Sequence, residues 1–195
     1  THVPAIIHAW FPGEFGGQAI AEALFGDYNP GGRLAVTFPK SVGQIPFAFP
    51  FKPGSDESSE TSVYGALYPF GHGLSYTTFQ YSDLAISPSK QGVQGNISIS
   101  CTIKNIGQRE GDEVVQLYLR DEVSSVTTYT QVLRGFERIT LKPEASHTVH
   151  FELTPQELGI WDKQMNFTVE PGMFKVMIGS SSKDIRLKGE FEIAQ

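Results

Sequence analysis

Cysteine is almost absent: one residue, Cys101, in 195. A single thiol closes no internal disulfide, so this is not a small domain stapled by crosslinks, and cysteine usage does not fix the redox compartment. Long apolar runs are missing too. Nothing approaches the roughly 18 consecutive apolar residues of a membrane-spanning helix. Positive charge is scarce: 15 Lys and Arg stand against 21 Asp and Glu, a formal net charge of −6. No stretch concentrates the cations, which excludes the phosphate-neutralising surface of a nucleic-acid binder and a polybasic membrane anchor.

What is present is material for a core. Apolar residues make up 39% and aromatics 12%, which excludes intrinsic disorder, collagen and coiled coil. Twenty Gly and twelve Pro make the chain turn-rich. At about 150 residues per domain, the length allows one full domain with a remainder, or two small ones. The chain opens on Thr1, with neither a basic start nor an apolar h-region behind it. The expectation is a segment of a longer polypeptide.

The hydrophobic period changes along the chain. Ala5 to Trp10 is a nearly continuous apolar run, as in a strand buried on both faces of a parallel sheet. A glycine-rich loop, Pro12 to Gly17, follows. Then Ala19, Ile20, Ala23 and Leu24 form one helical stripe, ended by Gly26. Asn29-Pro30-Gly31-Gly32 is a turn, and Leu34, Val36 and Phe38 alternate as a second strand. This predicts one βαβ unit, too small to be a domain, and therefore a remnant of an α/β domain. Residues 40–78 lack a regular pattern. A long loop from Ala48 to Val63 holds Asp56, Glu57 and Glu60, a solvated acidic run without an EF-hand pattern.

From Phe79 the period is two. Ile97, Ile99, Cys101 and Ile103 alternate with polar residues, as do Val115, Leu117 and Leu119, then Val149, Phe151 and Leu153. Phe174, Val176 and Ile178 come next, then Ile185, Leu187, Phe191 and Ile193. Roughly seven short strands with turns between them predict an antiparallel β-sandwich. The fold class expected is mainly β: an immunoglobulin-like sandwich preceded by a βαβ remnant.

Phe11-Pro12-Gly13-Glu14-Phe15-Gly16-Gly17, then Leu24 to Leu34 and Thr37-Phe38-Pro39, resemble the end of the second domain of glycoside hydrolase family 3. Ser41 to Pro46 continues it. Tyr68 to Phe79 is similar to that family's junction with its fibronectin type III-like domain, and Asn105, Gly107, Gly111 and Val114 to Tyr118 to that domain itself. The resemblance covers essentially the whole chain. It implies three segments: 1–47 as the end of the α/β domain, 48–78 as linker and loop, and 79–195 as the fibronectin type III-like sandwich.

Members of this family are retaining exo-glycosidases, most often β-glucosidases or β-xylosidases. The retaining route needs two carboxylates about 5–5.5 Å apart across the sugar. By the resemblance, the aspartate nucleophile sits on an upstream barrel and the acid/base lies upstream too. No catalytic residue is therefore expected in this chain, and neither a cofactor nor a metal. The implied partners are the upstream domains of the same polypeptide and, in the intact enzyme, an oligo- or aryl-glycoside, with no nucleic acid and no membrane. The implied location is periplasmic or secreted.

Four residues are candidates for a substrate rim: Glu14, Phe49, Phe51 and Lys52. Glu14 is a pocket carboxylate or, more simply, a favourable charge near a helix N-terminus. Where many relatives carry a Tyr-Asn-His-Lys-Pro-like stretch, this chain has Phe49-Pro50-Phe51-Lys52-Pro53 and keeps only the Lys-Pro. Phe47, Phe49 and Phe51 line a sugar rim or cover the domain junction, and the junction is favoured for most of them. The five histidines show no metal-ligand spacing. Asn96-Ile97-Ser98 and Asn166-Phe167-Thr168 fit the glycosylation pattern. The rival reading is a free-standing carbohydrate- or protein-binding sandwich. It calls for aromatics such as Tyr118, Tyr129, Phe136 and Trp161 to share one exposed face.

Overall fold

The computed structural model describes residues 3–55, 57, 58 and 63–195. Asp56 and Glu60 of the acidic run lie outside the described residues. The first regular element is helix α1, Gly16–Phe25. Its middle is rich in good helix formers, Gln18 and Glu22 hydrogen bond one turn apart at 2.7 Å, and Gly26 ends it in the left-handed conformation. Ala23 is buried, whereas Leu24 and Phe25 face outward.

The mainly β, antiparallel architecture matches the sequence reading, but the strands expected to flank α1 do not form a βαβ unit. Residues 5–10 carry no strand, and Ile6, Ile7 and Trp10 are exposed. Residues 34–39 pair instead with 66–72, antiparallel: Phe38 and Pro39 oppose Tyr68 and Ala66. Leu34 N–H donates to His72 O at 2.9 Å and Gly71 N–H to Leu34 O at 2.8 Å. The physical reason is that a buried parallel strand needs neighbours on both edges and helices on both faces. Among the described residues nothing supplies them. The Trp10 ring packs on His8 and Phe38 instead, at centroid distances of 4.3 and 6.2 Å.

The sandwich has eight strands. They are β1 (Phe79–Ser87), β2 (Lys90–Gly92), β3 (Ile97–Asn105), β4 (Gly111–Asp121), β5 (Val132–Leu141), β6 (Ser146–Leu153), β7 (Gly172–Gly179) and β8 (Ile185–Ala194). One sheet has the order β6-β3-β1 and the other β2-β8-β7-β4-β5. All pairings are antiparallel except β2 with β8. A one-turn helix α2, Pro155–Leu158, leaves β6 under a Thr154–Glu157 capping box.

The inner faces are those the period predicts. Ile97, Ile99, Cys101 and Ile103 of β3 meet Val115, Leu117 and Leu119 of β4, Val149 and Leu153 of β6, and Phe174, Val176 and Ile178 of β7. The Phe174 and Phe191 rings stack at 5.4 Å and 4°. Cys101 is fully buried, and burial pushes its thiol up to about 11. A one-residue slip of any strand would turn this apolar set to water, so burial sets the register.

Candidate functional site

The N-terminal segment meets strand β4 at the start of its inner face and along its outer face, and the contacts make a buried polar junction. Glu113 has the same parity as Val115 and Leu117, so it points between the sheets at the start of the strand. Arg33, on the turn after α1, reaches it: Nη2 donates to Glu113 Oε1 at 3.0 Å, with both side chains over nine-tenths buried. Burial pushes the Glu113 carboxyl up from its ordinary value, and Arg33 pulls it back only in part.

The other face of β4 carries Gln116 and Tyr118, which alternation would place in solvent. Both are buried. The Tyr118 hydroxyl donates to Gln116 Oε1, and Gln116 Nε2 donates to Ser180 O at 2.6 Å and Gly71 O at 3.3 Å. Gly71 has φ +81, and a Cβ there would collide with the Gln116 side chain. Phe70 and Phe49 form the lid. Their rings stack at 4.6 Å and 13°, and Phe49 stands edge-on to Tyr118 at 5.7 Å.

Two asparagines complete the junction. Asn29 Oδ1 accepts from Ser75 Oγ and Tyr76 N–H at 3.0 and 2.7 Å, while Nδ2 donates to Glu110 O at 2.9 Å. Asn105, fully buried at the end of β3, accepts from Thr77 Oγ1 and Gly107 N–H and donates to Arg109 O and Leu141 O. His72 stacks on Tyr68 at 5.3 Å. Burial first, then Arg33, lowers its pKa and favours the neutral ring.

The rim candidates separate. Phe49 and Phe51 come together with their centroids 6.0 Å apart, Phe47 joins at 5.2 Å from Phe51, and the group lies against the sandwich. Phe51 O accepts Thr130 N–H at 2.8 Å. Lys52 is exposed at the edge of this cluster, and Glu14 is exposed on the loop before α1 with no part in it. Sequence reading named the turn Asn29 to Gly32, which Arg33 follows, but not the partners of Asn29 or Arg33. The available signal was Glu113, an acidic residue at a core-parity position. For Gln116 and Tyr118 the alternation pattern points the wrong way.

The arrangement binds two parts of one chain. Its buried carboxylate is engaged by a guanidinium, and its aromatics are spent on each other. The same N-terminal segment leaves large apolar side chains in solvent. Phe11 is fully exposed, Phe25 and Val42 are each 84% exposed, and Leu24 and Ile45 are also exposed.

Residues 1–76 match the Glycosyl hydrolase family 3 C-terminal domain, and residues 113–182 match the Fibronectin type III-like domain. A periplasmic beta-glucosidase of Salmonella typhimurium is 44% identical over 201 residues, covering 97% of this chain and 26% of the relative. A beta-xylosidase of Formosa agariphila is 42% identical, covering 96% and 26%. Among solved structures, a beta-glucosidase from Listeria innocua in complex with glucose superposes with a TM-score of 0.87 at 32% identity, covering 95% of this chain and 27% of that one. The chain spans about a quarter of the length of the relatives it matches. The segment that holds Arg33 and the sandwich that holds Glu113 are thus two neighbouring domains of one known architecture, and the chain belongs to glycoside hydrolase family 3 as its C-terminal part.

Proposed function

We propose that this chain is the structural C-terminal part of a retaining β-glucosidase-type enzyme that releases terminal β-D-glucosyl residues. The exposed apolar side chains of residues 6–45 are the observation that carries the reading. Exposed rings such as Phe11, Phe15 and Phe25, gathered on one segment, need a partner surface. Upstream domains of the same polypeptide provide one. The junction then acts as a brace: it fixes the sandwich to the second domain and so steadies the loops that frame the substrate.

In this reading the layout is 1–47 for the end of the α/β domain, 48–78 for linker and loop, and 79–195 for the sandwich. The two carboxylates of the retaining route lie on upstream domains. Phe49, Phe51 and Lys52 shape a rim at the junction, Glu14 on the loop before α1 stands apart from it, and none of the four transfers a proton. Export to the periplasm or beyond fits the relative named periplasmic. No helix among the described residues is long and apolar enough to cross a membrane.

The test is an assay with an activated aryl β-glucoside. The intact polypeptide is expected to turn over, the 195-residue chain is not, and Glu14→Gln in the intact polypeptide retains kcat. Turnover by the 195-residue chain alone, abolished by Glu14→Gln, would overturn the brace reading.

A further inference from the structure

At the other end of β4 the sandwich opens into a pocket of about 300 Å³, the lower end of the size range for small-molecule sites. Its floor is core: Leu119, Leu158 and Phe174. Its wall holds two of the aromatics singled out in the sequence, Tyr129 and Trp161. The other two go elsewhere, Tyr118 beneath the Phe49 lid and Phe136 to the outer face of β5.

Trp161 is held in place and still open. Its backbone pairs with Phe167 and its ring meets the Phe167 edge at 5.5 Å, yet 59% of the residue is exposed. Two polar groups in the same pocket lack full partners. Arg134 Nε is buried with no hydrogen-bond acceptor among the described residues. The half-buried Asp121 carboxyl is pushed up to about 6, chiefly by burial, with only the Val123 N–H opposing and with Glu170 and Glu122 adding to it. The charged lining is two cations, Lys52 and Arg134, against two anions, Asp121 and Glu157. That balance selects a neutral ligand.

A pyranose meets each requirement. Its axial C–H bonds are weakly positive and suit the negative face of an indole. Its hydroxyls donate to a carboxylate and accept from a guanidinium N–H. We infer that this pocket is a non-catalytic carbohydrate subsite, taking one sugar unit of a neutral oligosaccharide with its ring on Trp161 and its hydroxyls on Asp121 and Arg134. The inference rests on the glycosidase reading and adds a second grip on the same substrate class.

The experiment is an NMR titration of the 195-residue chain with cellotetraose and, separately, xylotetraose. The Trp161 indole N–H is assigned by its loss in Trp161→Phe. One of the two sugars is expected to shift that resonance and the backbone amides lining the pocket saturably, with a Kd of about 1 mM, the amides serving as the readout in variants that lack the indole. Trp161→Ala should weaken binding at least about tenfold, Asp121→Asn should weaken it severalfold, and Trp161→Phe should retain most of it. Glu14→Gln should bind as the parent does. No saturable shift with either sugar, or binding that survives Trp161→Ala, overturns the subsite. If the intact polypeptide hydrolyses aryl β-glucosides while the chain binds neither sugar, only the subsite fails. If the chain binds and the intact polypeptide is inactive, only the glycosidase reading fails.

Discussion

Arg33 and Glu113 stand 80 residues apart in sequence and 3.0 Å apart in space, one on the turn after α1 and the other inside the mouth of the sandwich. The pair is buried, so its worth shows when one partner is lost. Removing one member of a buried pair leaves an uncompensated charge and typically costs about 3–5 kcal/mol, whereas an apolar replacement of both is often nearly neutral. Arg33→Met is therefore expected to destabilise strongly in urea unfolding at pH 7, and Arg33→Met with Glu113→Leu to recover most of the loss. Without Arg33 the Glu113 carboxyl rises further. A raised folded-state value favours the protonated form, so the deficit of Arg33→Met should shrink as pH falls through that raised value and be smallest below the ordinary 4.5. Additive effects of the two substitutions would show that the contact carries no coupling.

Gly71 sets how closely the linker approaches β4. With φ +81 and the Gln116 amide where a Cβ would go, Gly71→Ala meets both backbone strain and a collision. The expected loss is about 2 kcal/mol or more. Near-UV circular dichroism should report loosening around Tyr118. The exposed Gly54, also at positive φ but with open space beside it, is the control, and Gly54→Ala should cost about 1 kcal/mol or less. Equal losses at the two sites would refute the packing argument.

Asp121 gives a pH signature of known sign. Its carboxyl titrates at about 6, above its ordinary 3.8, so its contribution to stability is fully present below about pH 4 and is lost as pH rises through 6. Asp121→Asn keeps an acceptor for the Val123 N–H and removes the charge. After discounting for solvent screening of a half-exposed group, it should stabilise the chain by about 1 kcal/mol at pH 8 and by nothing measurable at pH 4. Thermal unfolding at the two pH values measures this, and a pH-independent difference would contradict it.

The N-terminal face should behave as an uncovered interface. Residues 3–15 have no ladder, and their amides are expected to exchange faster than those of β3, β4 and β7. The chain should also self-associate at high concentration, and Phe11→Ser with Phe25→Ser should lower its sedimentation coefficient toward that of the monomer. A parent chain that remains monomeric at every concentration would show that this face is satisfied as it stands.

The strands of the sandwich were legible because a period of two, read over Ile97 to Ile103 or Phe174 to Ile178, carries both the strand and its buried face. Helix α1 and its Gly26 stop were legible for the same local reason. The βαβ unit was not. Ala5 to Trp10 has the composition of a buried strand, but burial is a property of neighbours, and 34–39 found its partner in 66–72 instead.

Amino-acid order alone therefore determined which residues form the sandwich core, because side-chain alternation is a local property of the strand. It also determined the family resemblance, through the motifs around Pro12 to Gly17 and Tyr68 to Phe79. Only the tertiary structure decided that Arg33 meets Glu113, that Tyr118 is buried under Phe49 and Phe70, and that Tyr129 and Trp161 share a pocket. Each is a contact between segments tens of residues apart, made when loop closure brings them together, and no local period encodes it.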